Sequence, residues 1–532
     1  MAQGQLMQPS IYLHKAVSSP WLLPVVVILG FFWSSASMPL YDLDEGAFSE
    51  ATREMLASGN YLATYLDGEP RYDKPIMIYW LQALSVQLFG MQEFSFRLPS
   101  LLAATGWLAA IFFFVRERFD QTTAISAAAM MGLAFNVALI AKAATADALL
   151  NMLLAMTFLD IYRYFEKPDN KLLYRIFLLM GLGFLTKGPV SIVLPLLVSG
   201  LFFFSYGRGR DWFKAAFFIP GWILFLVITV PWYVAVYFEQ GSEFFQQFFL
   251  HHNVGRLSST VHGHGGSLGY YFFALPLVLL PFAGLFFQVL SKSRSTWSDP
   301  LHRFGFIWLA VVFVIFSFSN TQFPHYILYG CTPIFILMAV NREQLNNRWL
   351  AYIPVLLFFV LLLLFPEILA FASSQTPLNF EMGVLLKNTR EHMGSGYHMI
   401  MAIGLIAVIF FWLLRDVRPW QGLIAAGVLQ AVMVGGVFAP VMLNALQAPV
   451  KEAAQFAKQN EWQVIRYHIN MPSFSVYRQA ITPSRLPESG DIVFVREDRF
   501  AGMKQARPAL HFDILFKRSP VMLVKAREKV LE

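Results

Sequence analysis

Cysteine is almost missing from this sequence: the 532 residues include one, Cys331, set in an apolar stretch. A single thiol excludes a disulfide within the chain and any cysteine-rich metal site. Charge is scarce as well. Asp, Glu, Lys and Arg make up 14% of the residues, against 57% hydrophobic ones. A soluble chain of this length would divide into several domains, each needing a charged surface, so that class is excluded. Internal repeats and low-complexity tracts are lacking, which argues against an inverted-repeat transporter. The first apolar run, "WLLPVVVILGFFW", leads into acidic "DLDE" instead of a small-residue cleavage site. It therefore reads as a retained helix and not a signal peptide.

What is present is apolar sequence in runs of about 20 residues, the signature of membrane-spanning helices. Mean hydropathy is +0.53. Thirteen spans are expected, near 20–40, 98–115, 122–140, 147–164, 173–186, 189–206, 215–238, 269–290, 304–319, 325–340, 350–372, 397–414 and 420–442. With the N-terminus inside, Lys15 and the inner loops hold 17 Lys and Arg. The short outer loops hold Lys142, Lys187, Arg256, Lys387 and Arg390. This positive-inside bias accounts for the net charge of +7 without nucleic acid. It places residues 41–97 and the C-terminus outside.

Residues 1–442 are thus expected to form a transmembrane domain, and 443–532 a small outer α/β domain. In the latter, "EAAQFAKQ" reads as a helix, and "VIRYHI", "DIVFV", "LHFDILF" and "VMLVKA" as strands. The loop 41–97 should carry two surface helices. "EGAFSEATREMLASGNY" has helical spacing and stops at Gly59-Asn60; "IMIYWLQALSVQLFG" has the length and aromatic content of an interfacial helix. Between them sits "GEPRYDKP".

This loop resembles the first outer loop of bacterial aminoarabinose lipid A transferases, within the protein O-mannosyltransferase-like superfamily. An Asp-Glu pair follows the first span, here Asp44-Glu45. An acid-Lys-Pro element follows, here Asp73-Lys74-Pro75, then the aromatic "IYWL", then Arg97 to Ser100. "TADALL" around Asp147 and "LTKGP" around Lys187 continue the likeness. The resemblance implies a GT-C fold with about thirteen transmembrane helices and a periplasmic α/β tail. It implies an inverting hexosyl- or pentosyltransferase of the bacterial inner membrane, active site facing the periplasm. The donor would be a sugar on a polyprenyl phosphate, and the acceptor lipid A, another glycan or protein. Membrane lipids are the other expected partners, and nucleic acid is not one.

Breaking the bond between an anomeric carbon and a phosphate leaves positive charge on the sugar and negative charge on the phosphate. Cationic side chains can stabilise such a leaving group in place of a general acid, and a carboxylate can serve the acceptor as base or steady the sugar. By family position Asp44 and Asp147 are the catalytic carboxylates. Lys74, Arg256, Tyr326 and Lys187 would hold the donor phosphate, with Glu45, Asp73 and Arg97 beside them. The other acids of the loop, Asp42, Glu50 and Glu54, read as solvated or helix-capping. The cavity is expected to be walled by "IMIYWL" and the start of "FPHYILYG". The family's Lys-Leu-Pro-x-Tyr element is replaced here by Gln322, Phe323, Pro324 and His325 before Tyr326, so the sugar is left open. "HHNVGRLSSTVHGHGG" brings His251, His252, His262 and His264 close together, and imidazoles could hold a divalent metal; no cofactor is otherwise implied. A flippase or transporter of lipid-linked sugars, or a non-catalytic envelope scaffold, are the alternatives from other classes.

Overall fold

The structure, a computed structural model, describes residues 9–249, 267–375 and 380–529. It is helical up to Gln459 apart from one short hairpin, and a four-stranded sheet follows. Among the described residues, six helices are long and apolar enough to cross a membrane, or up to ten if each of four bent pairs counts as one span. Three of the expected spans fall outside that number for visible reasons. Asn170–Lys187 carries Lys171, Arg175 and Lys187; Val190–Ser205 has 16 residues; Thr332–Val340 has nine and follows the 3-10 turn Pro324–Gly330.

The bent pairs are the main departure from thirteen straight spans. Gln121–Leu133 and Phe135–Ala141 meet at 69°, and Tyr270–Val278 and Ala283–Ser291 at 119°. These two breaks touch. The Phe135 N–H, freed by the first break, donates to the Leu280 carbonyl at the second, 2.8 Å away. The buried amide of Gln430, on Pro419–Met433, reaches both the Leu133 and the Leu280 carbonyls at 3.4 Å. A broken helix in hydrocarbon must satisfy its freed backbone groups within the protein, and here each break serves the other.

Residues 41–97 follow the expected plan of two helices. Asp44–Ser58 begins with Asp44 and Glu45, acids favoured at a helix N-terminus, and stops at Gly59, whose φ of 71° few other residues tolerate. A two-stranded hairpin, β1 (Tyr65–Leu66) and β2 (Glu69–Pro70), leads to the apolar helix Met77–Phe89. Glu93–Arg116 then returns through the bundle.

The last long helix runs on from Ala439 to Gln459 and carries the chain into the sheet. Its order is β3-β4-β6-β5, with β3 (Val464–Tyr467) parallel to β4 (Ile492–Arg496) and β6 (Val521–Glu528) antiparallel to both β4 and β5 (Leu510–Arg518). The short helix Ser473–Arg478 leaves the sheet and lies against the first turn of Asp44–Ser58.

Candidate active site

A cavity of about 350 Å³ lies where the start of Asp44–Ser58 meets the apolar helices. Its polar end is formed by Asp44, Glu45, Arg97, Lys142, Thr145, Asp147 and His325; its apolar wall comes from Leu133–Ile140 and from residues 431–443. Helix ends place these groups. Asp44 opens the first-loop helix, Asp147 opens Asp147–Glu166, Lys142 follows Phe135–Ala141, and His325 starts the turn at Pro324.

Asp44 is exposed to the cavity, and its carboxylate has no hydrogen bond or ion pair among the described residues. Glu45, one residue on, is consumed by structure. Its carboxylate takes Nε and Nη2 of Arg97 at 2.8 and 2.7 Å, the Ala144 N–H at 2.7 Å and the Tyr41 N–H at 2.9 Å. Arg97 is 1% exposed and also donates to the carbonyls of Ser35, Met38 and Pro39. Glu45 and Arg97 therefore pin the first span, the loop helix and Glu93–Arg116 together at the edge of the site.

Asp147 is also paired. Lys187 Nζ lies 2.5 Å from its Oδ1, the Tyr329 hydroxyl donates to the same oxygen at 3.1 Å, and His325 Nε2 stands 3.6 Å away. The Lys187 ammonium sits 5.0 Å over the Tyr326 ring and 5.6 Å over that of Tyr329, and bonds the Tyr329 hydroxyl at 2.9 Å. Tyr326 thus offers Lys187 its ring, and Tyr329 supplies the phenol that touches the charged pair. Lys74 is half-buried and bonds the carboxylate and carbonyl of its neighbour Asp73, at 3.1 and 3.0 Å; Arg71 takes the other Asp73 oxygen at 3.1 Å. The charges of Asp147, Lys187, Asp44 and Lys74 all act on His325. Arg256 and the four histidines 251, 252, 262 and 264 lie outside the described residues.

Three residues absent from the sequence-based site belong to it: Lys142, His325 and Tyr329. Lys142 is 9% exposed, lines the cavity, and has no hydrogen bond or ion pair with a described residue. Burial alone pushes its ammonium down to about 8. The signal that could have found it is its position five residues before Asp147, on the same outer helix connection.

Other expectations need correction. "IMIYWL" does not line this cavity: Ile76, Ile78 and Tyr79 pack with Trp232, Tyr233, Phe244 and Phe248, because an aromatic helix end covers them. Asp42, Glu50 and Glu54 are buried and not solvated: the tail lies on Asp42, and the Gly68 N–H of the hairpin meets Glu54. Glu50 is paired with Arg53 at 2.6 Å, and burial still pushes its carboxyl up. The carboxylates of Glu50, Glu54 and Asp67 come within 4.8 Å of one another, but Arg53, Arg466 and the Gly68 N–H already engage them.

A buried carboxylate already neutralised by lysine, an unpaired carboxylate and an unpaired ammonium share this cavity. That set can bind an anionic group and present a free carboxylate to whatever it carries. Residues 73–234 match the family profile described as dolichyl-phosphate-mannose-protein mannosyltransferase. An uncharacterized protein of Aquifex aeolicus is 29% identical over 344 residues, 65% of this chain and 77% of its own. The undecaprenyl phosphate-alpha-4-amino-4-deoxy-L-arabinose arabinosyl transferase of Shewanella sediminis is 25% identical over 322 residues, 60% of this chain and 58% of its own. The chain thus spans about three fifths of the named transferases it matches. The crystal structure of ArnT from Cupriavidus metallidurans bound to undecaprenyl phosphate superimposes with a TM-score of 0.77, at 21% identity, over 95% of this chain and 97% of that one. The resemblance carried by the first outer loop is borne out, and the chain has the GT-C fold of ArnT.

Proposed function

We propose that this protein is an inverting glycosyltransferase that takes a sugar from a polyprenyl-phosphate carrier and delivers it to an envelope acceptor. The observation that carries this reading is the cavity itself. It pairs an unengaged carboxylate, Asp44, with the cations Lys142 and Lys187, at the join between membrane helices and the outer-loop helix. An apolar wall beside a cationic end suits a lipid phosphate, whose tail stays in hydrocarbon.

In this reading Lys142, Lys187 and Lys74 stabilise the charge that grows on the departing phosphate, and Arg256 joins them from its loop. Asp147 holds Lys187 in place, and the Tyr326 ring and Tyr329 hydroxyl fix the ammonium from below. Preorganised charges cost no reorganisation as the bond breaks, which makes them effective. Asp44 accepts the proton of an acceptor hydroxyl; if the acceptor is already ionised, it steadies positive charge at the sugar. Attack from the side opposite the phosphate inverts the anomeric carbon. Asp73 sets Lys74, while Glu45 and Arg97 set the backbone beneath Asp44. A divalent metal at His251, His252, His262 and His264 is not required by this scheme.

The arrangement in the envelope follows from the charge bias of the loops. Residues 1–442 form the transmembrane domain, with thirteen crossings if each bent pair counts once and Asn170–Lys187, Val190–Ser205 and Thr332–Val340 are added. Loop 41–97 and domain 443–532 face the periplasm of a bacterial inner membrane. The acceptor is lipid A, another glycan or protein.

Reconstitution tests the reading. The purified chain in lipid vesicles, given a polyprenyl-phosphate sugar and envelope lipid extract, should release free polyprenyl phosphate and glycosylate a component of the extract. Asp44→Asn should abolish this. Equal turnover with a soluble nucleotide sugar and no lipid carrier would overturn it.

A further inference from the structure

The tail of the chain does more than sit beside the membrane domain. Four of the five residues from Ser473 to Tyr477 reach three separate parts of the region around the first loop. The Ser473 N–H donates to Asp42 Oδ1 at 3.0 Å, and its hydroxyl donates to Asp42 Oδ2. The Ser475 hydroxyl donates to Asp67 Oδ1 at 2.5 Å, on the β1–β2 hairpin, and Arg466 of β3 pairs with the other Asp67 oxygen at 2.9 Å. The Tyr477 hydroxyl accepts the Leu40 N–H at 2.7 Å and donates to Glu93 at 3.1 Å. Val476, 3% exposed, fills an apolar cluster with Leu40, Val86, Phe96 and Ala144.

The approach at Asp42 is close. A Cβ added to Gly46 would lie 2.0 Å from the Asp42 carboxylate and 2.8 Å from the Ser473 nitrogen. The tail therefore rests on the first turn of Asp44–Ser58 with no room between. From the other side, the Arg97 guanidinium and the Ala144 N–H grip Glu45. Asp44 stands between these two grips. With no bond of its own among the described residues, its carboxylate takes its position from the backbone of residues 42 to 46.

We propose that Ser473 is a positioning residue for Asp44: by bonding both oxygens of Asp42 it fixes the backbone turn that aims the Asp44 carboxylate into the cavity. This rests on the reading of Asp44 as the reacting carboxylate. The tail is then part of the active-site scaffold and not an independent appendage. A carboxylate placed wrongly by about 1 Å can cost on the order of 100-fold in rate, while substrate affinity, set by the lysines elsewhere, is untouched.

The test compares wild type, Ser473→Ala and Ser473→Thr as full-length proteins in vesicles. Turnover and apparent KM for a polyprenyl-phosphate sugar are measured, together with amide exchange over residues 42–48 by mass spectrometry. Expected for Ser473→Ala are a kcat lower by about 10- to 100-fold, a KM changed by less than about twofold, and faster exchange over that turn. Ser473→Thr, which keeps the hydroxyl, should recover most of the kcat. Unchanged kcat in Ser473→Ala would overturn the proposal. So would a parallel loss of kcat, substrate binding and exchange protection across the whole chain, which marks general unfolding. If wild type shows no transfer at all, the glycosyltransferase reading fails, and the exchange data alone then decide the bracing. Faster exchange confined to residues 42–48 supports it, and unchanged exchange rejects it.

Discussion

Arg97→Lys keeps the charge and removes the fork. The guanidinium of Arg97 makes five hydrogen bonds, two to Glu45 and three to the carbonyls of Ser35, Met38 and Pro39. An ammonium has three donors at one point. At least two of the five buried acceptors must lose their donor. Each charge-assisted hydrogen bond lost there is worth about 1.5–3 kcal/mol, so the substitution should cost about 3–6 kcal/mol. Total stability is typically about 5–15 kcal/mol, so this is a large share. The assay is the half-life of monodisperse protein in detergent at a fixed elevated temperature, read by gel filtration. Since about 1.4 kcal/mol is a factor of ten in rate, Arg97→Lys should shorten that half-life at least about tenfold, provided the network opens in the unfolding transition state. A wild-type half-life would refute the reasoning. A wild-type half-life with no turnover would further move Arg97 from scaffold to the reaction itself.

Asp44→Asn should lower turnover by at least about 100-fold and leave that half-life unchanged, because no described partner is left stranded. Lys142→Met should lower turnover while lengthening the half-life at neutral pH. Its ammonium is pushed down to about 8, so the folded protein binds that proton less tightly than the unfolded chain, and a neutral side chain there relieves the cost. The Asp42 carboxyl is pushed up to about 7, first by burial and then by Glu45 and Asp67, against bonds from Ser473. The folded state therefore holds this proton between about pH 4 and 7 where the unfolded chain releases it, so stability falls as pH rises through that window. Asp42→Asn should flatten that part of the pH profile of heat resistance. Cysteines at the exposed Glu69 and Glu488 should both label from the periplasmic side; labelling from opposite sides would refute the topology.

The elements that depend on local pattern were readable in the sequence. Asp44–Ser58, with its acidic start and Gly59 stop, is one. The strands "DIVFV" and "VMLVKA" are others, since alternating or continuous apolar runs between turn residues mark strands directly. The elements that depend on a distant partner were not readable. Nothing near Asp42 announces that Ser473 will bury it, and nothing near Leu133 announces a break that Leu280 satisfies. For the site, motif positions led to Asp44, Lys74, Asp147 and Lys187, but not to which of them are already paired. That division, with Asp147 and Lys187 closed on each other and Asp44 and Lys142 open, exists only in the folded chain. Lys142 was passed over because a lysine in a short outer loop reads as a surface charge until its burial is seen.

The contact between the two broken spans constrains how the protein can be made. Phe135 leaves the ribosome long before Leu280, yet its freed N–H has its acceptor only there. During insertion the Gln121–Ala141 segment must remain straight, stay at the water interface, or be shielded by the insertion machinery. Lipid offers it no acceptor. Gln430 arrives later still, and closes both breaks at once. The cavity beside Leu133 and Phe135 therefore takes its shape among the last events of assembly. A chain truncated before Gln430 should be targeted and inserted, yet remain open at the place where its substrate would bind.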